Sequence, residues 1–251
     1  MYRPVGATED FDWRLNGWAF VAEDAVLPSG QIAKKGARLT AIKVVKLTRK
    51  KNLQLSLPNA SALLLHSALC AEADAATIRI SCGIDSSIKR VVTFETDTHG
   101  FDYLEKKASS VFLCITALEA FANEMLTDDV TYQSKDRNGD SVTLNREEIE
   151  RRLSLDEKLS VVLPKIFGTA PPKSSSCWAP YIETRRLRDR IIHWKNSDRK
   201  ASDIDEDNAW SALMLSPRAT DATIGVIDFF MKVKIPKPGW YEGLKFSQKA
   251  C

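Results

Sequence analysis

The stretch FDYLEKKASSVFLCITALEAFANEML, from Phe101 to Leu126, decides the fold class. It is long and rich in residues of high helix propensity, so it predicts an α-helix. Between Val111 and Ala122 apolar or small residues lie on every side of that helix, and Glu119 is the charge that interrupts them. A helix that is apolar all round is buried, so we expect this one in the middle of a helical bundle.

Glu119 is the unusual residue of this helix, because a buried carboxylate is costly unless it is paired or hydrogen-bonded. Two explanations remain open. One is a structural ion pair inside the bundle, and the other is a functional group. We expect its partner to be an arginine, in particular Arg188 or a neighbour on the helix that carries Arg188.

Further helices follow and complete the bundle. Two residue pairs have the spacing of a capping box, and they are Asn145 with Glu148 and Ser154 with Glu157. Pro217 separates the last two helical segments, since proline breaks or kinks a helix. The helices predicted in this region are 146–153, 155–167, one from Trp178 or Pro180 to Lys195, 203–215 and 219–233.

Between the long helix at 101–126 and the helix predicted at 146–153 lies VTYQSKDRNGDSVTL, residues 130–144. Two alternating runs flank an Asn-Gly pair, which predicts a β-hairpin. A calcium loop is the alternative, because four side chains match the ligand spacing, but its sixth position holds Ser141 where the sharp bend needs glycine. We therefore favour the hairpin over a calcium site with ligands Asp136, Asn138, Asp140 and Glu147.

The N-terminal part of the chain has a different sequence pattern, which is typical of strands. Alternating or β-branched runs predict strands, and one segment beginning at Asn59 or Ser61 predicts a short capped helix. The fold class expected for the whole chain is α+β. We expect a β-rich region at 1–98, a helical bundle with a β-hairpin insertion at 99–236 and a C-terminal tail at 237–251. The strands are expected within 39–47, 51–57, 76–84 and 89–96.

Composition excludes several classes of protein. The formal net charge is only +3, and no run approaches the roughly 18 apolar residues that span a membrane. The N-terminus is polar and acidic, unlike a signal peptide. The five cysteines are widely spaced without a CxxC pair, so they indicate reduced thiols in a cytoplasm rather than zinc or disulfides. Neither a Walker-type loop nor GxGxxG is present, and we expect no cofactor and no metal.

The segment ETRRLRDRIIHWK, residues 183–195, holds four arginines and one of the three histidines. On a helical wheel, Asp189 and His193 lie on the face opposite the apolar stripe, together with Arg186. Ile182 and Ile192 lie on or beside the same polar face, and exposed apolar residues beside a basic stripe indicate a partner surface. The apolar stripe consists of Thr184, Leu187, Ile191 and Trp194.

This face has the groups that cleave a phosphodiester without metal. His193 can move a proton near neutral pH, and the guanidinium of Arg188 matches phosphate oxygens. Asp189 could orient the imidazole or raise its basicity. Arg188 and His193 are about 140° apart on an ideal helix, so a second copy of the helix would be needed to complete one groove.

These segments resemble the HEPN family of domains. RDRIIH, from Arg188 to His193, is similar to the Arg-x4-His signature. TALEAFANEML resembles the first long helix of many HEPN-like proteins, with Glu119 and Asn123 at its polar positions. SLDEKLSVVLPKIFG resembles the helix before the signature helix. The resemblance covers about 101–234 and has Asp189 where Asn is common.

The resemblance implies an up-and-down helical bundle that dimerises through the signature helix, at about 180–195. It also implies metal-independent RNA cleavage in a toxin–antitoxin or antiviral defence system, with an antitoxin or regulatory protein as a further partner. The catalytic residues would be Arg188, His193 and Asp189, with Glu119 and Asn123 in support. The residues expected to bind RNA are Arg185, Arg186, Arg190 and Lys195.

Two hypotheses follow. The first is a homodimeric endoribonuclease with a composite site. The second is a non-catalytic HEPN-like module that dimerises and binds RNA or an acidic protein. A small-molecule nucleotide binder has less support, because the phosphate-binding glycine loops are missing.

Overall fold

The computed structural model of the chain describes backbone and side chains over most of its length. For residues 2–5, 18 and 245–250 it describes the backbone alone. Contacts divide the chain into two compact units, one made of Met1–Leu63 with Pro236–Cys251 and the other of Leu64–Ile235. The described residues are 2–5, 12–27, 30–135, 138–196, 198, 208–233 and 237–250.

The first unit is built around a small antiparallel sheet. Its longest strand, β5 (Arg38–Lys46), pairs with β1 (Tyr2–Val5), β2 (Trp18–Phe20) and β6 (Asn52–Ser56). Two short strands, β3 (Ala25–Val26) and β4 (Ile32–Ala33), pair with each other. The two strands predicted within 39–47 and 51–57 are confirmed as β5 and β6.

The predicted C-terminal tail at 237–251 is wrong, because residues Gly239–Ala250 form a helix, α9, of the first unit. Trp240 and Leu244 are fully buried, and burying a tryptophan strongly stabilises a docked helix. A side chain at Gly243 would clash with Trp13. Glycine therefore lets α9 approach the N-terminal part of this unit.

The strand predicted within 76–84 is wrong, because the helix α1 (Ala60–Ser81) runs through it. Asn59 caps this helix by accepting a hydrogen bond from the Ala62 amide at 2.9 Å. Ala68, Ala71 and Ala75 are buried at helical spacing. That spacing outweighs the alternating β-branched residues further along.

The strand predicted within 89–96 is also wrong, since this segment forms no strand or helix and Val91 is exposed. The second unit begins at Leu64, within α1, whereas the sequence pattern predicts a boundary near residue 98.

The second unit is a helical bundle with one hairpin. The longest helix, α2 (Asp97–Glu124), packs against α6 (Trp178–Ile192) and α8 (Ala219–Met231). Val111, Cys114, Leu118 and Phe121 of α2 are buried in this packing. The elements after α1 are α2 (Asp97–Glu124), β7 (Tyr132–Lys135), β8 (Ser141–Leu144), α3 (Arg146–Arg152), α4 (Leu155–Glu157), α5 (Leu163–Phe167), α6 (Trp178–Ile192), α7 (Ala209–Leu215) and α8 (Ala219–Met231).

Several local predictions for this unit are confirmed. Strands β7 and β8 form the expected hairpin, and Gly139 adopts the positive φ of 91° that its turn requires. Both capping boxes are present, at the starts of α3 and α4. Asp136 of the alternative calcium loop lies outside the described residues.

The helix predicted at 155–167 is not a regular α-helix. A π-helical segment, Lys158–Val162, separates α4 from α5. Pro164 follows it at the start of α5. In a regular helix the ring of Pro164 would clash with the carbonyl of Ser160, so the wider π turn accommodates the proline.

The two ends of the helical region differ from the predicted ranges. Helix α6 ends at Ile192 rather than Lys195, and residues 203–207 of the next predicted helix lie outside the described part of the chain. Pro217 separates α7 from α8, as predicted. Within the described ranges, no helix has the length and apolarity needed to cross a membrane.

Candidate functional site

Helix α6 is anchored by one buried stripe, which sets the direction of its charged residues. Thr184, Leu187 and Ile191 are buried, and Trp194 packs against the same core cluster after the helix has ended. Trp194 also stacks on Trp210 with ring centroids 4.4 Å apart. The predicted apolar stripe is therefore the face that α6 turns towards the bundle.

Arg188 lies at the edge of this stripe and is only 32% exposed. Its Nε atom is buried and donates no hydrogen bond to a described residue. The same atom lies 3.3 Å from Asp189 Oδ1, an ion-pair distance without hydrogen-bond geometry. The terminal nitrogens of the guanidinium donate to no described residue, so they, and not the buried Nε, are the donors left for an anion, although a carboxylate lies next to the group.

His193 is exposed and ends α6. Its backbone amide donates to the Asp189 carbonyl at 3.0 Å, and its φ of −109° and ψ of 63° turn the chain away from the helix. Across the described residues, no hydrogen bond or ion pair joins the side chains of Arg188 and His193. Asp189 connects the two residues, through its carboxylate to Arg188 and through its carbonyl to His193.

Two of the arginines expected to bind RNA are held by carboxylates of the bundle. Arg185 forms an ion pair with Asp156 at 3.3 Å. The buried Tyr181 hydroxyl donates to the same carboxylate at 2.5 Å. Burial, followed by this hydrogen bond to Asp156, raises the pKa of Tyr181. These contacts fasten α6 to α4.

Arg190 donates to Asp198 at 3.0 Å. Asp198 also accepts from the backbone amides of Ala209, at 2.9 Å, and Lys195, at 3.0 Å. The two backbone hydrogen bonds, with help from Arg190, lower the pKa of Asp198 to about 2. Asp198 thereby ties the end of α6 to the start of α7.

Arg186 and Lys195 are exposed. Neither side chain has a hydrogen-bond or ion-pair partner in the described portion of the chain. Arg186 borders a cavity of about 370 Å³ that also contacts Leu187, Leu215 and Pro217. Arg186 and Lys195 are therefore open to an anionic partner, in addition to the half-buried Arg188.

The arginine partner predicted for Glu119 is wrong. Glu119 forms an ion pair with Lys158, whose side chain is fully buried while that of Glu119 is 39% exposed. The Lys158 ammonium also donates to Asn123 Oδ1 and to the Glu150 carbonyl, both at 2.9 Å. The buried charge is thus the lysine, and the carboxylate compensates it.

Lys158 is the residue that the sequence reasoning missed. It falls between Leu155 and Leu159, on a stripe that continues to Val162, and all three apolar residues are buried. A lysine at such a position needs a carboxylate or several hydrogen-bond acceptors. Glu119 and Asn123, which the sequence singled out together, are held together by this ammonium group.

Two apolar residues lie beside the charged face, as expected. Ile192 is 49% exposed and Ile182 is half-buried. The described residues contain no group of three His, Cys, Asp or Glu side chains arranged to hold a metal ion. The described cysteines, which are Cys70, Cys82, Cys114 and Cys177, are free thiols.

Comparisons with known proteins give no family for this chain. A scan against protein-family models finds no match, and searches of curated proteins and of solved structures find none either.

Proposed function

We propose that the second unit is a HEPN-like bundle and that the chain is a metal-independent endoribonuclease that acts as a homodimer. The observation that carries this proposal is the end of α6. There a half-buried arginine with unused donors, Arg188, and an exposed histidine, His193, flank one acidic residue. The resemblance to HEPN sequences also supports the proposal. It includes Arg188 and His193 and, in addition, the segments that contain Glu119 and Lys158.

The proposed reaction is an internal transesterification of RNA. His193 takes the proton of a ribose 2′-hydroxyl, and the 2′-oxygen attacks the adjacent phosphorus. The bond from phosphorus to the 5′-oxygen breaks. That oxygen receives a proton from the protonated His193 of the second copy of the chain. The products carry a 2′,3′-cyclic phosphate and a 5′-hydroxyl. Arg188 stabilises the charge that develops on the phosphoryl oxygens.

A second copy is needed because one helix does not bring the two groups to one atom. Two-fold symmetry would set the same patch of each chain against the other. Ile192, which is 49% exposed, provides apolar surface for that contact. Arg186 and Lys195 then supply open cations for the RNA on either side, while Arg185 and Arg190 hold α6 in place.

One observation favours a second candidate, a non-catalytic module that dimerises and binds RNA or an acidic protein. The Asp189 carboxylate lies 3.3 Å from Arg188 Nε, where it competes with a phosphate for the guanidinium. A cytoplasmic role in a toxin–antitoxin or antiviral defence system, with an antitoxin or regulatory protein as partner, belongs to the first candidate.

Incubation of the full chain with single-stranded RNA in excess chelator tests the proposal. Cleavage that leaves 2′,3′-cyclic phosphate ends, together with survival of the same sequence as DNA, supports the ribonuclease. RNA binding without cleavage supports the non-catalytic module. Cleavage that requires added magnesium contradicts the proposed mechanism.

A further inference from the structure

A second cavity of the bundle lies away from the charged face of α6. It has a volume of about 330 Å³ and its walls come from α1, α2 and the residue before α8. Three cationic side chains line it, namely Arg79, Lys107 and Arg218, together with one carboxylate, Glu72. Alanines of α1, among them Ala76, form part of the wall and leave the space open because their side chains are small.

Lys107 is the unsatisfied group of this cavity. It is half-buried and has no hydrogen-bond or ion-pair partner among the residues that the structure describes. Burial is the main cause that lowers the pKa of its ammonium group; the charge of Glu72 acts in the opposite direction, and that of Arg79 lowers the pKa further. A cation in such surroundings is stabilised by an anion that enters the cavity.

Glu72 does not fill that role, because its oxygens are already engaged. It accepts hydrogen bonds from the Ser110 hydroxyl at 3.0 Å, the Thr220 amide at 3.1 Å and the Thr220 hydroxyl at 2.6 Å. Arg218 Nε donates to it at 2.9 Å. The carboxylate is only 9% exposed, so it holds Arg218 and leaves Lys107 without a bonded partner.

The two remaining cations offer different donors. Arg218 uses Nε for Glu72, and its terminal nitrogens donate to no described acceptor. Arg79 is tied to Asp85 through Nε and one terminal nitrogen. The cavity therefore offers the ammonium of Lys107 and the fork of Arg218, which together match the several oxygens of a phosphate better than the two of a carboxylate.

We propose that this cavity binds the phosphate group of a small phosphomonoester through Lys107 and Arg218. Its volume admits a compact organic body beside the phosphate, and the alanine wall suits the apolar part of that body. The phosphate backbone of RNA is the competing occupant. A cleft of about 330 Å³ between α1 and α2 matches a terminal phosphate with a compact body better than it matches a continuous strand.

Calorimetry and thermal unfolding of the full chain, without RNA, test this proposal. The probes are inorganic phosphate, glycerol 3-phosphate and adenosine 5′-monophosphate, and glycerol and adenosine are the phosphate-free controls. We expect saturable binding and a raised Tm with at least one phosphomonoester and neither effect with the controls. No binding of any phosphate at millimolar concentration would overturn the proposal.

Two variants on neighbouring residues localise the effect. Lys107→Met should weaken phosphomonoester binding by about tenfold or more, since a charge-assisted contact is lost. Lys106→Met is the matched control. Lys106 is paired with Asp74 at 2.7 Å on the surface, and its loss should leave binding unchanged. Equal effects of the two variants would overturn the assignment, as would full competition by RNA that lacks a terminal phosphate.

A measurement without ligand checks the state of Lys107 itself. Because it is a half-buried cation without a bonded partner, Lys107→Met should keep or raise the Tm of the unliganded protein. A clear fall in Tm would mean that Lys107 has a structural partner, and it would overturn the proposal. None of these measurements depends on ribonuclease activity.

Discussion

Lys158 and Glu119 form an ion pair in which the lysine side chain is fully buried and the glutamate side chain is 39% exposed. The pair joins α2 to the π-helical segment that follows α4. Two neutral acceptors, Asn123 Oδ1 and the Glu150 carbonyl, complete the surroundings of the ammonium group. The two partners therefore differ in what their removal leaves behind.

Removal of the carboxylate should cost more than removal of the lysine. Glu119→Ala leaves a buried ammonium with neutral acceptors only, so we expect a loss of about 3 kcal/mol in the free energy of unfolding. Lys158→Met leaves a glutamate that can turn to solvent, and we expect a loss of less than about 1.5 kcal/mol. Urea denaturation measures both values.

Glu105→Ala is the control for that comparison, because Glu105 is an exposed glutamate of the same helix. It should change the free energy of unfolding by less than about 0.5 kcal/mol. Equal stability of Glu119→Ala and the parent protein would contradict the role assigned to the pair.

Asp198 predicts a specific dependence of stability on pH. Its pKa is lowered from 3.8 to about 2 in the folded chain. The unfolded chain therefore binds more protons between these values, and the stability from Asp198 is complete above pH 3.8 and disappears towards pH 2. The difference in Tm between the parent and Asp198→Asn should be large at pH 7 and close to zero at pH 2.

Asp129→Asn provides the matched control, since Asp129 is exposed and has no ion pair among the described residues. Its Tm should follow that of the parent at both pH values. A difference between the parent and Asp198→Asn that persists unchanged at pH 2 would exclude the proposed contribution.

The composite site requires a dimer through α6. We expect the parent chain to scatter light as a dimer at micromolar concentration and Ile192→Asp to scatter as a monomer, because a charge replaces the apolar contact. Ile80→Asp is the control, as Ile80 of α1 is 72% exposed and is not part of the proposed interface. A monomeric parent chain, or a dimeric Ile192→Asp, would remove the composite site.

Arg188 should be sensitive to a change that conserves its charge. Lysine keeps the positive charge but loses the planar fork, so Arg188→Lys should lower the RNA cleavage rate by about 10²-fold. Arg146→Lys is the comparison. Arg146 lies on α3 rather than on α6, and it forms ion pairs with Asp128 and Glu150. Comparable rates for the two variants would show that Arg188 does not contact the reacting phosphate.

Local signals in the sequence specify much of this fold. The capping boxes at Asn145 and Ser154 predict their helices because the cap is a contact between residues three apart. The Asn138-Gly139 pair predicts the hairpin for the same reason. The buried stripe of α6 follows from Leu187 and Ile191, whose spacing fixes one helical face.

The errors arise where contacts distant in sequence decide the structure. Ile78 and Ile80 favour a strand locally, yet the alanine stripe of the preceding turns extends α1 through them. The partner of Glu119 lies 39 residues away. The spacing of residues in the sequence does not show whether Lys158 or an arginine of α6 pairs with Glu119. The pairing depends on the tertiary contact between α2 and the π-helical segment.

On the charged face of α6, too, some features follow from the local sequence and others depend on contacts distant in sequence. Its wheel positions are predictable, but Asp156 and Asp198 lie outside the segment and engage Arg185 and Arg190. Arg186 and Lys195 stay open because no described carboxylate lies against them. The sequence of the segment alone does not show which of its cations are paired with carboxylates and which are open.

Comparison of the RNA cleavage rates of the parent, His193→Ala and His66→Ala in excess chelator tests the proposed mechanism. His193 is exposed at the end of α6, and His66 lies in α1 near Cys70. The proposed mechanism requires that His193→Ala loses about 10²–10⁴-fold in rate with an unchanged Tm, while His66→Ala cleaves like the parent. A His193→Ala protein as active as the parent would contradict it.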